Sequence, residues 1–291
     1  MAASEGGALP IFASRAPLWD PNRIQFERLR LKHRIRLFKK WWFRRHKPYQ
    51  PLFVIATCRS GSNLLLSYLG QQPGVAMLGE VLCDLMPIGP RRPCMPPASA
   101  VHHIRRCFQA ERSPIRGCKL MLYQLANCQL TLDDVHAAFP DAKYIVIYRQ
   151  SLAEQYASQK AADLTQQFVL LPGEKPRRAK LMLDPDELRW YCDDTRNSYR
   201  RALSHSWLRE RSVLVSYEEL TADGSYWLKQ HICPLLNVPA VMPKERFVKQ
   251  NSAPLAERIT NYRELASLLH SPTCRQYHTW PDQQQGLRRA A

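Results

Sequence analysis

The sequence predicts an α/β protein of three layers, a parallel sheet with helices on both faces. From Pro51 onward short apolar runs alternate with longer stretches of helical periodicity, the order produced by strand-helix-strand units. The first of these runs, LFVIAT at 52–57, is apolar at every position but its last, as a central strand covered on both faces requires. No Gly/Ser-rich or Pro-rich linker divides the 291 residues into two hydrophobic halves, so one large domain with a substantial core is expected.

Taken in order, the strands are expected at 52–57, 75–78, 118–122, 143–148 and 212–216. Helices are expected near 63–71, 99–112, 131–138, 151–163, 184–208, 217–235 and 262–270. After KYIVIY at 143–148, Ser151 followed three residues later by Glu154 predicts a capping box that opens the next helix. No repeat of 20–50 residues is visible, which argues against a solenoid or propeller. The domain is placed at 48–272, with a polar, poorly ordered N-terminus at 1–21, a basic segment at 22–47 and a tail at 273–291.

Hydrophobic residues at 45%, aromatic at 10% and charged at 23% describe a folded globular chain. Forty-two Lys and Arg against twenty-five Asp and Glu leave a formal charge of +17, a field that gathers anionic partners without choosing among nucleotides, nucleic acids and lipid surfaces. In 22–47, Ile24, Leu31, Ile35, Phe38 and Trp42 recur at helical spacing beneath a cationic face. Such a helix either packs on the domain or makes peripheral contact with an anionic membrane, helped by Trp41, Trp42 and Phe43.

Nine cysteines without a CxxC pair suit reduced thiols in a cytoplasmic protein. His102, His103 and Cys107 lack the second ligand pair of a zinc site, so no metal is expected there. No apolar stretch approaches the ~20 residues that cross a bilayer, and MAASEGGALP lacks the charged-then-apolar order of a signal peptide.

The chemistry is concentrated after the first strand, in RSGSN at 59–63. Gly61 lets the backbone curl, Ser60, Ser62 and Asn63 offer hydroxyl and amide donors, and a helix opening at Asn63 presents unpaired N–H groups to an anion. An ATP or GTP loop would carry Gly, four residues, then Gly-Lys-Ser/Thr; here Ser62 stands where the lysine belongs, and Arg59 brings the cation before the glycine.

This strand-loop-helix resembles that of the sulfotransferase family, a P-loop nucleoside-triphosphate-hydrolase-like architecture whose loop holds the 5′-phosphosulfate of 3′-phosphoadenylyl sulfate. RSGS at 59–62, GE at 79–80, GCKLM at 117–121 and YRQSLAEQYAS at 148–158 come in the order of the bacterial branch that looks like the trehalose-type enzymes, and the resemblance spans about residues 50–265. It implies that Arg149 and Ser158 hold the cofactor's 3′-phosphate, an arginine fork and a hydroxyl on one dianion. It also implies a cationic flap at KQNSAPLAERITNY, 249–262, with Lys249, Gln250 and Asn251 over the nucleotide, although the Arg-Lys-Gly of animal enzymes is absent.

Sulfuryl transfer needs a base for the acceptor hydroxyl and positive charge on the sulfuryl and bridging oxygens. Glu80, at the carboxyl edge of the sheet, resembles the family's proposed base, with Asp84, His102 and His103 as competitors. Lys119 either faces the transferred group, as the family implies, or is an edge lysine in water. The expected function is metal-independent, in-line transfer of a sulfuryl group to a hydroxyl of a carbohydrate, glycolipid or other small molecule, with no nucleic acid as partner. A P-loop kinase or hydrolase and a non-catalytic basic protein that binds nucleic acid or membranes are the alternatives.

Overall fold

The computed structural model describes residues 48–85, 97–170, 172–244 and 253–276, and the side chains at 84 and 85 lie outside that description. The expectations for 1–47, for Asp84 as a base, for Lys249, Gln250 and Asn251, and for the tail beyond 276 therefore fall outside the described residues. Five strands, β1 (Gln50–Ala56), β2 (Val75–Met77), β3 (Ile115–Met121), β4 (Lys143–Tyr148) and β5 (Ser212–Ser216), form one all-parallel sheet in the order β2-β3-β1-β4-β5. β1 lies at the centre, where Val54 stands opposite Lys119 of β3 and Ile145 of β4. The chain builds one side of the sheet before crossing to the other, and this opens a crevice at the carboxyl end of β1, where open α/β sheets take ligands.

Both faces of β1 are buried because alternate residues serve different cores. Phe53 and Ile55 point to a cluster with Ile104 and Phe108 of α2 (Pro97–Gln109), Leu125 of α3 (Leu122–Asn127), Val135 of α4 (Leu132–Ala138) and the buried ring of Tyr199. Leu52, Val54 and Ala56 point to the opposite cluster with Leu65, Tyr68 and Leu69 of α1 (Ser62–Leu69), Leu220 of α8 (Tyr217–Ala222) and Ile232. A third core joins α5 (Leu152–Thr165), α6 (Pro185–Leu203) and α12 (Tyr262–Leu269) around Leu152, Tyr156, Leu188 and Leu265.

The observed elements depart from expectation in four places. β3 begins at Ile115, not Cys118, because Arg116 is buried with its charge satisfied by the carbonyls of Phe108 and Ser113, each 2.9 Å away. Residue 122, expected to end that strand, instead opens the short helix α3. The helix expected over 184–208 breaks after Leu203, and α7 (Ser206–Glu210) follows. The one expected over 217–235 is divided into α8, α9 (Gly224–Trp227), a wide π turn at Leu228–Ile232 and α10 (Cys233–Leu236), with Asp223 capping α9. Glu257 and Arg258 lie on a one-turn helix, α11 (Leu255–Arg258).

The capping box at Ser151 forms by half. The Ser151 hydroxyl accepts from the Glu154 amide at 3.2 Å, but Glu218 receives the amides of Gln150 and Ser151 at 2.9 and 3.4 Å. Glu154 is thereby left to face two arginines.

Candidate active site at the carboxyl edge of the sheet

The loop at 57–61 is held from several sides. The Thr57 amide donates to the Tyr199 hydroxyl at 3.1 Å, and that hydroxyl donates to the Ile147 carbonyl at 2.6 Å. Gln155 on α5 donates to Thr57 Oγ1 at 2.8 Å and to the Cys58 carbonyl at 2.6 Å. Ser60 is fully buried, and its hydroxyl donates back to the Thr57 carbonyl at 2.9 Å. At Gly61 φ is +91°, and a Cβ there would lie 2.3 Å from the ring of Tyr217. Only glycine satisfies both the left-handed turn and the close approach. The first-turn amides of α1 follow directly, in the position from which helix N-termini bind anions.

Arg59 leaves this loop, also at positive φ, and donates from Nε to Ser158 Oγ at 3.0 Å and from Nη1 to the Phe168 carbonyl at 2.5 Å. Ser158 and Gln155 are neighbours on one face of α5. Arg149, at the end of β4, lies 4.8 Å over the Tyr217 ring and 3.8 Å from a carboxylate oxygen of each of Glu154 and Glu218. Its Nε is buried without a hydrogen-bond acceptor. Burial first, and then the positive charge of Arg149, lower the pKa of Arg59. Two guanidiniums so placed form a region that favours an anion.

The other end of the crevice centres on Glu80. Lys119, 3% exposed, is paired with Glu80 Oε1 at 2.7 Å and donates to Asn63 Oδ1 at 2.8 Å, so it is a buried, satisfied cation and not an edge lysine in water. Gln124 on α3 donates from Nε2 to Glu80 Oε2 at 2.8 Å and to the Tyr123 hydroxyl at 3.2 Å. The Glu80 side chain is 32% exposed, open to an incoming group while both oxygens are oriented. Cys58, between the two ends, has its thiol pushed up to about 12 by burial and then by Glu80. It therefore stays protonated at neutral pH.

The tertiary structure thus brings Arg59, Ser60, Gly61, Ser62 and Asn63 together with Glu80 and Lys119 on one side and with Arg149 and Ser158 on the other. The His pair goes elsewhere: His103 is buried in α2 against the Val81 carbonyl at 3.1 Å and Cys107 at 3.5 Å, and His102 is exposed. Sequence reasoning missed Gln124, Gln155, Tyr217 and Arg258. Tyr217 and Gln124 each lie just past the end of a strand, a position that could have marked them; nothing in the local pattern singles out Gln155 or Arg258. A groove of about 960 Å³ lined by Tyr226, Val241 and Met242 lies apart from this crevice and holds none of these side chains.

No protein-family model matches the sequence, and the curated proteins give no match. Among solved structures, the crystal structure of a sulfotransferase from Alicyclobacillus acidocaldarius is similar at 17% identity and a TM-score of 0.45, over 78% of this chain and 92% of that one. At that distance function has to be argued from the crevice itself.

Proposed function

We propose that this protein is a sulfotransferase that moves the sulfuryl group of 3′-phosphoadenylyl sulfate to a hydroxyl of a carbohydrate, glycolipid or other small molecule. The observation that carries the reading is the pairing of two sites across one loop: a cluster of Arg59, Ser158 and Arg149 at one end and a Glu80–Lys119 pair at the other. Lys119 and the loop amides near it offer positive charge to a phosphosulfate at one end, and Arg149 and Ser158 beside Arg59 offer it to a 3′-phosphate at the other. The crevice also fits an anion on its own terms, since the first-turn amides of α1 follow the left-handed turn at Gly61 and the Arg149 Nε is a buried donor lacking an acceptor.

The loop amides, Ser62 and Arg59 would hold the 5′-phosphosulfate, and Arg149 and Ser158, with Lys249 as the family resemblance implies, the 3′-phosphate. When bound, the nucleotide supplies an activated sulfuryl group with a phosphate leaving group. Glu80 takes the proton from the acceptor hydroxyl as it attacks. Lys119, a neighbour of both Glu80 and Asn63, supplies positive charge between the base and the loop. Gln124 and Lys119 fix the plane of the Glu80 carboxylate. In-line transfer requires no covalent enzyme intermediate.

Calorimetric titration with 3′,5′-adenosine bisphosphate tests the reading. The wild type should bind, and Arg149→Ala should weaken binding by about 10- to 100-fold, the worth of one or two charge-assisted hydrogen bonds. Wild-type protein that ignores the bisphosphate but turns over ATP with magnesium would point instead to a kinase or hydrolase. Glu80→Gln should keep the nucleotide affinity and abolish most turnover, measured as bisphosphate released in the presence of an acceptor identified by a mass-spectrometric screen for added sulfuryl groups.

A further inference from the structure

We infer that Arg258 is a second guanidinium of the 3′-phosphate site, held ready beside Arg149 by the carboxylate of Glu154; the inference rests on the function proposed above. Arg258 lies on α11, more than a hundred residues after Arg149, and is 7% exposed. Its Nε donates to the Ala253 carbonyl at 2.9 Å, and its Nη2 is paired with Glu154 Oε2. The same Glu154 oxygen lies 3.8 Å from Nη2 of Arg149.

One carboxylate oxygen therefore serves two arginines, and each arginine keeps a buried donor, Nε of Arg149 and Nη1 of Arg258, with no hydrogen-bond acceptor. Buried donors are rarely left so. Glu218 does not make up the shortfall, because its nearer oxygen stands 3.8 Å from Arg149 Nε, an ion pair beyond hydrogen-bond distance. A phosphate dianion brings three oxygens to donors that the protein's own carboxylates leave unmet, and guanidinium forks are suited to it. Glu154 then acts as the internal anion that keeps the two arginines together until that phosphate arrives. The half-formed cap of α5 is what releases Glu154 for the role.

The test is titration of the full-length protein with 3′,5′-adenosine bisphosphate and with adenosine 5′-monophosphate, which lacks the 3′ group. Arg258→Met should weaken the bisphosphate by about 10- to 100-fold and leave the monophosphate within about twofold. Glu154→Gln should hold or tighten the bisphosphate, because it removes a competing acceptor. If Glu154→Gln instead weakens binding as much as Arg258→Met, Arg258 merely props Arg149 and the inference fails. Should Arg258→Met unfold, Arg258→Lys, which keeps the charge and loses the fork, should show an intermediate loss confined to the bisphosphate. A wild type that binds the bisphosphate while both Arg258 variants bind it equally well overturns this inference alone. A wild type that binds no bisphosphate overturns the proposed function together with it.

Discussion

Gly61 has two independent reasons to be glycine, its φ of +91° and the Tyr217 ring 2.3 Å from where a Cβ would stand. An alanine there takes on a left-handed strain of about 1–2 kcal/mol and must also displace the ring. Because Arg149 rests on that ring, Gly61→Ala should lower both the urea midpoint and the bisphosphate affinity, whereas a mutation costing backbone strain alone would lower only the first. Gln124 offers a cleaner separation. Gln124→Met keeps the volume of a fully buried side chain but removes the donor to Glu80 Oε2. Turnover should fall about tenfold, corresponding to roughly 1.4 kcal/mol of lost orientation, with nucleotide affinity within about twofold. An equal fall in both quantities would show that Gln124 supports the loop and not the base.

Among the elements, α4 carries a pH-sensitive contact away from the crevice. His136 stacks on Trp207 at 4.1 Å between ring centres and 2° between planes, while Asp133 accepts from Trp207 Nε1 at 2.8 Å. Burial first, and then the nearby Arg211, lower the His136 pKa, while Asp133 opposes them. The unfolded chain therefore takes up this proton before the folded one does. The contribution to stability is full above the ordinary histidine range, near pH 6.5, and is lost as pH falls through that range toward the folded value. Urea unfolding of wild type and His136→Phe from pH 8 to pH 5 should show the variant gaining relative stability as the pH drops; a constant difference would remove His136 as the cause.

The formal charge of +17 acts over the whole molecule. Affinity for the bisphosphate should fall several-fold between about 20 and 200 mM salt as the screening length shortens from roughly 20 to 7 Å, while adenosine binding should hardly change. Equal salt dependence for the two ligands would indicate that the field plays no part. The segment 23–47 holds much of that charge, and the full-length chain should bind anionic vesicles more tightly than a chain beginning at Pro48. Equal binding would dismiss membrane contact.

β1 and β4 were legible because a strand buried on both faces must be almost continuously apolar, and LFVIAT and KYIVIY satisfy that rule without help from distant residues. RSGSN was legible as a tight turn running into a helix for an equally local reason, since both are made by neighbours in sequence. What local pattern could not fix was every contact between segments far apart in the chain. Glu154 was expected to complete the cap of its own helix, but Glu218, more than sixty residues later, took the amides of Gln150 and Ser151. The sequence by itself determined the parallel sheet, the glycine turn into α1 and the choice of Arg59, Glu80, Lys119 and Arg149 as residues of interest. Tertiary structure alone decided that Lys119 meets Glu80, that Tyr217 covers Gly61 and that Arg258 shares Glu154 with Arg149. Charge pairing and ring contact depend on distance in space, and separations of tens to more than a hundred residues carry no record of it.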